Sequence, residues 1–517
     1  MKLSRRSLLG AGSLGLAGLA AGMAGAESLQ YKPRRARRAK NVIFCVVDGM
    51  AHQTFSMVDA HSRYVNGKPS YWGWLVDQEF AVNGLQETRS LSSVVTDSAA
   101  ASSTWGSGRR VWNGMINTFP DGTPDGVELR TLYGLLHEKG VRTGLVTTTT
   151  ITHATPSGFA INCVNRDLEA LIAERYLKSG VDVLMGGGNR FFAADKRKDK
   201  MDLYAKFREA GYDVVQDRTG MLASRARKVL GIFADGHLPY TVDRNHSPEI
   251  AAKVPTLAEM TAHAINELKT NRNGFFLQIE GGRVDHAAHS SDLAGLFYDQ
   301  IAFEDALKVA IDFAMADGDT LVIITADHAC GGPSLNGDGE EYIDTNTALA
   351  SFSGFKASFE TILKTLGASP SVGDVQGLVQ AKLGYKLTPT EASAVVDATK
   401  GNSPFKASNF YRSVNMTMAT VLGNHNRVNF TSGNHTAEHV LVTAVGPGAE
   451  QVGGITPNTR FFDIMLAAKG LKHENPTMDF ATAARNMDKM KAAIDPDFID
   501  MYSAHEECGC DEAYGYR

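Results

Sequence analysis

The chain has 517 residues, a net charge of −5, 43% hydrophobic residues and 51 glycines. This is the composition of a globular α/β protein and gives no general case for nucleic-acid binding. At about 150 residues per domain the length would suggest three units, but large α/β domains exceed that, and one large domain with an insertion is expected. Five cysteines do not describe a disulfide scaffold.

Residues 1–26 read as a targeting segment, with Ser4-Arg5-Arg6-Ser7-Leu8-Leu9 followed by a Gly/Ala-rich, mildly apolar stretch. An arginine pair ahead of so weak an apolar region predicts a twin-arginine signal cleaved after Ala26, and hence a periplasmic or secreted protein. Its glycines make it a poor membrane anchor, so none is expected to persist. Residues 27–40 are a basic linker that could touch an anionic surface but fits a solvated segment.

From residue 41 the chain repeats one design, a short apolar run that ends in acids or histidines. Val42-Ile43-Phe44-Cys45-Val46-Val47 ends in Asp48-Gly49. Phe275-Phe276-Leu277-Gln278-Ile279 ends in Glu280 and continues to Asp285, His286 and His289. Leu321-Val322-Ile323-Ile324 leads to Asp327-His328. Such runs fit strands covered on both faces, and acids at their carboxyl ends fit the crevice where open α/β sheets bind ligands. Each Asp alone would be a turn or cap residue; three at equivalent strand ends point to a site.

Asp285 and His289 are four apart, on one face of a helix opening after Gly281-Gly282, where a divalent metal could bridge them. Carboxylate with imidazole suits zinc, while Asp48, Glu280 and a hydroxyl suit magnesium. His435, ahead of the strand-like residues 440–445, could complete a zinc set or be an ordinary loop histidine. Ser98, in Thr96-Asp97-Ser98-Ala99-Ala100, stands at a predicted helix start. There it is either an N-cap or a hydroxyl presented to an anion at the positive end of the helix dipole. It is not in a G-x-S-x-G elbow, so another activator is needed.

Residues 181–188 read as a strand and glycine turn without the Lys-Ser/Thr of a phosphate-binding loop, and residues 259–268 as an amphipathic helix. The alternation predicts an α/β fold, a doubly wound, mostly parallel central sheet flanked by helices. Residues 336–430 form a helical insertion, with helices predicted over 357–366, over 375–383 and from the capping box Thr388-Pro389-Thr390-Glu391 to about 399. It could be a lid, a partner surface or a stabilising appendage. The catalytic part is expected in 41–335 and 431–490. In the tail, 491–517, Cys508 and Cys510 could collect a metal but fit a frayed end.

Taken together, Val46-Val47-Asp48-Gly49-Met50, Thr96-Asp97-Ser98-Ala99-Ala100, Thr152-His153-Ala154-Thr155-Pro156, Glu280-Gly281-Gly282-Arg283-Val284-Asp285-His286 and Ala326-Asp327-His328 resemble, in order, the motifs of the alkaline phosphatase family. The resemblance runs over about 41–335 and 431–448. It implies two Zn2+ and one Mg2+, and a phosphoseryl intermediate on Ser98 with the substrate phosphate gripped by Arg166. By the same resemblance Asp285, His289 and His435 hold the first zinc, Asp48, Asp327 and His328 the second, and Asp48, Thr155 and Glu280 the magnesium. Asp97, His153 and His286 would support these from behind. His153 and His286 follow the animal-type pattern, whereas the strand-rich crown of animal members has no counterpart in the helical insertion. Small phosphate monoesters are the implied substrates, and a homodimer is compatible. Three alternatives remain: a phosphodiesterase of the same superfamily, a sulfatase, and a non-catalytic metal- or phosphate-binding protein. The sulfatase lacks its Cys/Ser-x-Pro-x-Arg context.

Overall fold

A computed structural model describes residues 38–503. The arginine-pair segment, most of the basic linker, Cys508 and Cys510 lie outside the described residues. Among those described, no helix is long and apolar enough to cross a membrane.

Ten strands form one sheet: β1 (Asn41–Val47), β2 (Ala81–Glu87), β3 (Arg142–Thr150), β4 (Val183–Gly187), β5 (Asp213–Val215), β6 (Val229–Ile232), β7 (Phe275–Gly281), β8 (Thr320–Thr325), β9 (Val440–Val445) and β10 (Gly454–Pro457). Their order is β10-β2-β9-β8-β1-β7-β3-β4-β6-β5. All neighbours are parallel except β9, which runs antiparallel to both β8 and β2. The expected doubly wound, mostly parallel sheet is thus the observed one. The exception follows from connectivity: β9 begins just after His435, at the carboxyl edge of β8, and can only run back.

β1 explains why its sequence is an unbroken apolar run. Successive side chains point to opposite faces of a strand, so Ile43, Cys45 and Val47 enter one core while Val42, Phe44 and Val46 enter the other. Both faces are covered by helices. The register then aligns the strand ends: Val46 pairs with Glu280 on one side and Thr325 on the other, and Thr147 pairs with Glu280. Four adjacent strands, β8-β1-β7-β3, therefore finish at one level. The residues that follow them share one crevice.

Four helical features matter for the site. Helix α1 (Ser98–Ser107) is wholly buried. Its Gly106 packs so closely on the short helix Ala154–Ser157 that an added Cβ would stand 1.7 Å from the Gly158 carbonyl oxygen. Since that neighbour is backbone and cannot swing aside, Gly106→Ala is expected to destabilise by about 1–3 kcal/mol, read as a lower urea midpoint with unchanged slope. Helix α2 (Arg283–His289) opens right after β7, and α3 (Leu293–Asp317) lies behind it.

Between the paired segments Pro333–Leu335 and Val428–Phe430 the chain is mainly helical: α4 (Phe359–Leu366), α5 (Val372–Leu383), α6 (Pro389–Thr399) and α7 (Val414–Asn426). Helix α4 starts later than the apolar spacing predicts because Ser358 caps it, accepting from Thr361 N. Helix α5 starts earlier, through a capping box of Ser371 and Asp374. The box at Thr388 and Glu391 is formed as expected. Phe359, Ile362, Val375 and Leu422 join the same core as the β1 residues Ile43 and Val47, each contributing about 1.5–3 kcal/mol by burial. Phe359 N also donates to Asp292 Oδ2 at 2.7 Å. This region packs as a layer on the core it shares with β1.

Candidate metal centre

Ser98 is not the helix cap. Asp97 is, its Oδ1 accepting from Ala100 N at 2.9 Å, and Ser98 is the first helical residue, at the positive end of the α1 dipole. Asp97 Oδ2 accepts from Gly114 N at 2.8 Å and from Arg166 Nη1 at 3.3 Å, so the cap also steers the guanidinium. Ser98 Oγ lies 3.3 Å from His328 Nε2.

Three buried groups of donor atoms converge here, each with its donor atoms within 4.8 Å of one another: Asp285, His289, Cys330 and His435; Asp48, Asp327 and His328; and Asp48, His153 and Glu280. In the first, helical spacing brings His289 Nε2 to 3.1 Å from Asp285 Oδ2, as i, i+4 neighbours. His289 Nδ1 lies 2.6 Å from the Gly433 carbonyl and His435 Nδ1 2.9 Å from the Thr96 carbonyl. A carbonyl oxygen only accepts, so each Nδ1 donates. The two Nε2 atoms then converge at 3.0 Å from each other, with the Asp285 carboxylate beside both, an arrangement that fits a shared cation.

In the second group, Asp327 Oδ1 is occupied by Gly49 N at 3.0 Å and His328 N at 2.9 Å. Its Oδ2 is left toward His328 Nε2, 2.9 Å away. The His328 and His435 rings stack with centroids 3.5 Å apart, joining the first two groups. Asp48 belongs to the second and the third. Its Oδ2 accepts from Thr155 Oγ1 at 2.8 Å, while its Oδ1 and both Glu280 carboxylate oxygens are buried without a hydrogen-bond donor. Buried carboxylates are tolerated only when paired or coordinated. Orphaned oxygens beside paired imidazoles therefore fit divalent cations.

The electrostatics agree. Burial, then the charges of Asp327, Asp285 and Glu280, push Asp48 well above the carboxylate range. Burial, reinforced by Asp327 and Asp285, pushes Glu280 up to about 8. Asp285 is the contrast: burial opposes its charge, but His289, His435 and His328 hold it well below the usual range. Four acids cannot all be charged so close together without cations.

His153 and His286 stand behind the third group. Arg166 Nη2 lies 3.1 Å from His153 Nε2, which must accept, so the Nδ1 proton faces Asp48 Oδ2 and Glu280 Oε1, each 3.9 Å away. Arg283 Nη1 likewise donates to His286 Nδ1 at 3.0 Å. Arg283 stacks 3.7 Å over the Tyr240 ring and reaches Glu360 of α4 at 2.6 Å.

Three neighbours were not assigned from the sequence. Cys330 has no role in the ligand set that the resemblance implies. His237, with its ring centroid 4.3 Å from His286 and its Nδ1 accepting from Thr150 N, sits in a loop with no sequence signal. Glu360 lies far along the chain, in the helical layer. Gly49 follows Asp48 with φ +71°, and a Cβ there would meet Asp285 Oδ1 at 2.4 Å, so the glycine lets two metal-ligating candidates approach.

A serine at a helix N-terminus, backed by three groups of candidate metal-ligating side chains on the carboxyl edge of a doubly wound sheet, defines the class: an α/β protein with a donor-rich pocket suited to metal ions. The alkaline phosphatase family model matches residues 39–471. Alkaline phosphatase 3 of Bacillus subtilis (strain 168) is 34% identical over 467 residues, covering 86% of this chain and 93% of the relative. Alkaline phosphatase of Escherichia coli (strain K12) is 26% identical over 497 residues, covering 86% and 88%. The crystal structure of Thermus thermophilus alkaline phosphatase superposes with a TM-score of 0.82 at 35% identity, covering 89% of this chain and 97% of that one. The chain belongs to the alkaline phosphatase family; it is a phosphatase, and the family supports hydrolysis of phosphate monoesters with bound metal ions.

Proposed function

We propose that this enzyme hydrolyses small phosphate monoesters through a phosphoseryl intermediate on Ser98, at a site built for two zinc ions and one magnesium ion. The observation that carries this reading is the sharing of Asp48 by two buried donor groups, with Ser98 Oγ beside His328 of one of them. Asp285, His289 and His435 would hold the first zinc, Asp48, Asp327 and His328 the second, and Asp48, Thr155 and Glu280 the magnesium. Such cations supply Lewis acidity, favouring the ionised serine and neutralising charge on the transferring phosphoryl group.

The protein's own residues do the rest. Asp97 fixes the start of α1, so Ser98 Oγ points where an anionic substrate meets the helix dipole. Arg166, held by Asp97 and His153, presents a planar donor fork to phosphate oxygens. Attack by Oγ on phosphorus forms the Ser98–phosphate bond and breaks the bond to the leaving alcohol, and water then cleaves the phosphoserine. His153 and His286, each with one nitrogen engaged by an arginine, act as oriented hydrogen-bond partners behind the magnesium position. Export by a twin-arginine signal belongs to the same reading, since a folded enzyme could carry its metals out.

The direct test is phosphate release from an aryl phosphate monoester, with and without chelator, beside an aryl diester. Metal removal should reduce monoester turnover by at least about 10³-fold, several kcal/mol of transition-state stabilisation, and zinc with magnesium should restore it. Chelator-insensitive turnover, or faster diester than monoester cleavage, would overturn the assignment.

Metal loading should also release protons with a definite pH dependence. A ligand carboxylate must be deprotonated to bind, and Glu280, at about 8 without a cation, is about nine-tenths protonated at pH 7. Its raised pKa favours the metal-free fold at low pH, and that contribution is lost as pH rises through 8. Magnesium affinity should therefore increase as pH rises from 6 through 8. Titration calorimetry in buffers of different ionisation enthalpy should find proton release on metal loading at pH 7, from Glu280 and from the likewise raised Asp48, that declines as pH rises.

A further inference from the structure

We propose that Cys330 is a fourth protein donor to the metal held by Asp285, His289 and His435, so that this position takes a thiophilic ion through sulfur as well as nitrogen and oxygen. The inference rests on the metal-centre reading above and extends it to a residue outside the ligand set implied by resemblance.

The placement is dictated by backbone pairing. The segments Ala329–Cys330 and His435–Thr436 form a two-stranded antiparallel pair in which Cys330 stands directly opposite His435. Directly opposed residues project to the same face, so the thiol goes where the His435 imidazole goes. Two further backbone bonds hold this register: Cys330 N donates to Gly49 O at 3.0 Å, and Gly331 N to Asn434 O at 2.9 Å. Gly331, with φ +73°, turns the chain away immediately afterwards. As a result Sγ lies within 4.8 Å of donor atoms on Asp285, His289 and His435.

The other described free thiols differ. Cys45 is enclosed in the apolar core, and Cys163 points its sulfur at the Asn165 carbonyl. Around Cys330 stand the buried Asp285 carboxylate, which the thiol hydrogen-bonds, and the imidazoles of His289 and His435, whose Nε2 atoms converge at 3.0 Å. A carboxylate, two imidazoles and a thiolate complete a four-donor shell of the kind zinc prefers.

On binding, the S–H bond breaks, a sulfur–metal bond forms and the proton goes to solvent. Two consequences follow. The position discriminates against magnesium and in favour of zinc, cobalt or cadmium, because sulfur is a soft donor. With four protein donors present, a substrate oxygen would join by expansion to five ligands.

Cobalt(II) alone is the probe, added to metal-free full-length protein carrying C508S and C510S so that the tail thiols are silent. Sulfur-to-cobalt charge-transfer absorption in the near ultraviolet is expected, and should vanish when C330S or C330A is added. Loss of Cys330 should speed removal of one ion by chelator at least about tenfold, the others leaving at unchanged rates. The zinc-loaded protein that keeps Cys330 serves as a measurement independent of whether those variants fold: zinc-edge X-ray absorption should contain a sulfur shell at about 2.3 Å. Cobalt uptake without a thiolate band, or a zinc edge with nitrogen and oxygen alone, overturns the role of Cys330 and leaves the metal centre standing. Failure to take up cobalt at all overturns both.

Discussion

Replacing Ser98 by alanine is expected to lower monoester turnover by at least about 10³-fold in kcat while leaving metal content and melting temperature unchanged. The reason is positional. Ser98 contributes no cap to α1, because Asp97 accepts the Ala100 N–H bond, and its Oγ contact of 3.3 Å is with His328. Removing the hydroxyl thus removes the nucleophile and little else, and losses of this order accompany removal of a nucleophile that works with its neighbours as one unit. Rapid-quench experiments with a phosphate-labelled substrate should trap label on the native protein and none on the variant. Labelled Ser98→Ala protein, or a loss of tenfold or less, would sink the covalent route. Residual hydrolysis by directly activated water is compatible with it.

The second large effect is expected from Asp48→Asn. Asp48 is the residue common to two donor groups, so one substitution should weaken two ions together, each by roughly 10–100-fold in affinity, and turnover by at least about 10³-fold. Stability should move the other way in the absence of metal. Burial and three neighbouring acids push the Asp48 pKa well up, so in the metal-free protein its neutral form is favoured and stability is lost as pH rises. An amide carries no such penalty and still accepts from Thr155 Oγ1. Metal-free Asp48→Asn protein should therefore melt no lower than metal-free native protein at pH 8, whereas metal-loaded native protein should melt well above both. Inductively coupled plasma analysis with calorimetry separates the outcomes. A variant that keeps its full metal complement would contradict the sharing.

These effects define what could be read before the fold was known. The apolar runs of β1, β7 and β8 and the acids that end them were legible because a strand buried on both faces has a distinctive composition, and because the crevice lies at its carboxyl end. The pairing of Asp285 with His289 followed from helical spacing alone. Helix ends in the 336–430 region are legible where the cap chemistry stands out: Thr388 with Glu391 marks one, whereas Ser358 and the box of Ser371 with Asp374 shift two helix starts away from the apolar spacing. Ser98 as a cap was plausible locally and was displaced by Asp97, an equally good cap one residue earlier.

Near-neighbour chemistry along the chain is enough to give most of the strands and helices, the family motifs and the residue types able to bind metal. The packing of distant segments adds that Cys330 faces the first group, that the arginines fix the proton positions of His153 and His286, and that Glu360 reaches Arg283 from the helical layer. Those facts depend on strand order, register and the packing of distant segments. They are set by which surfaces bury each other in three dimensions, and no spacing along the chain encodes them.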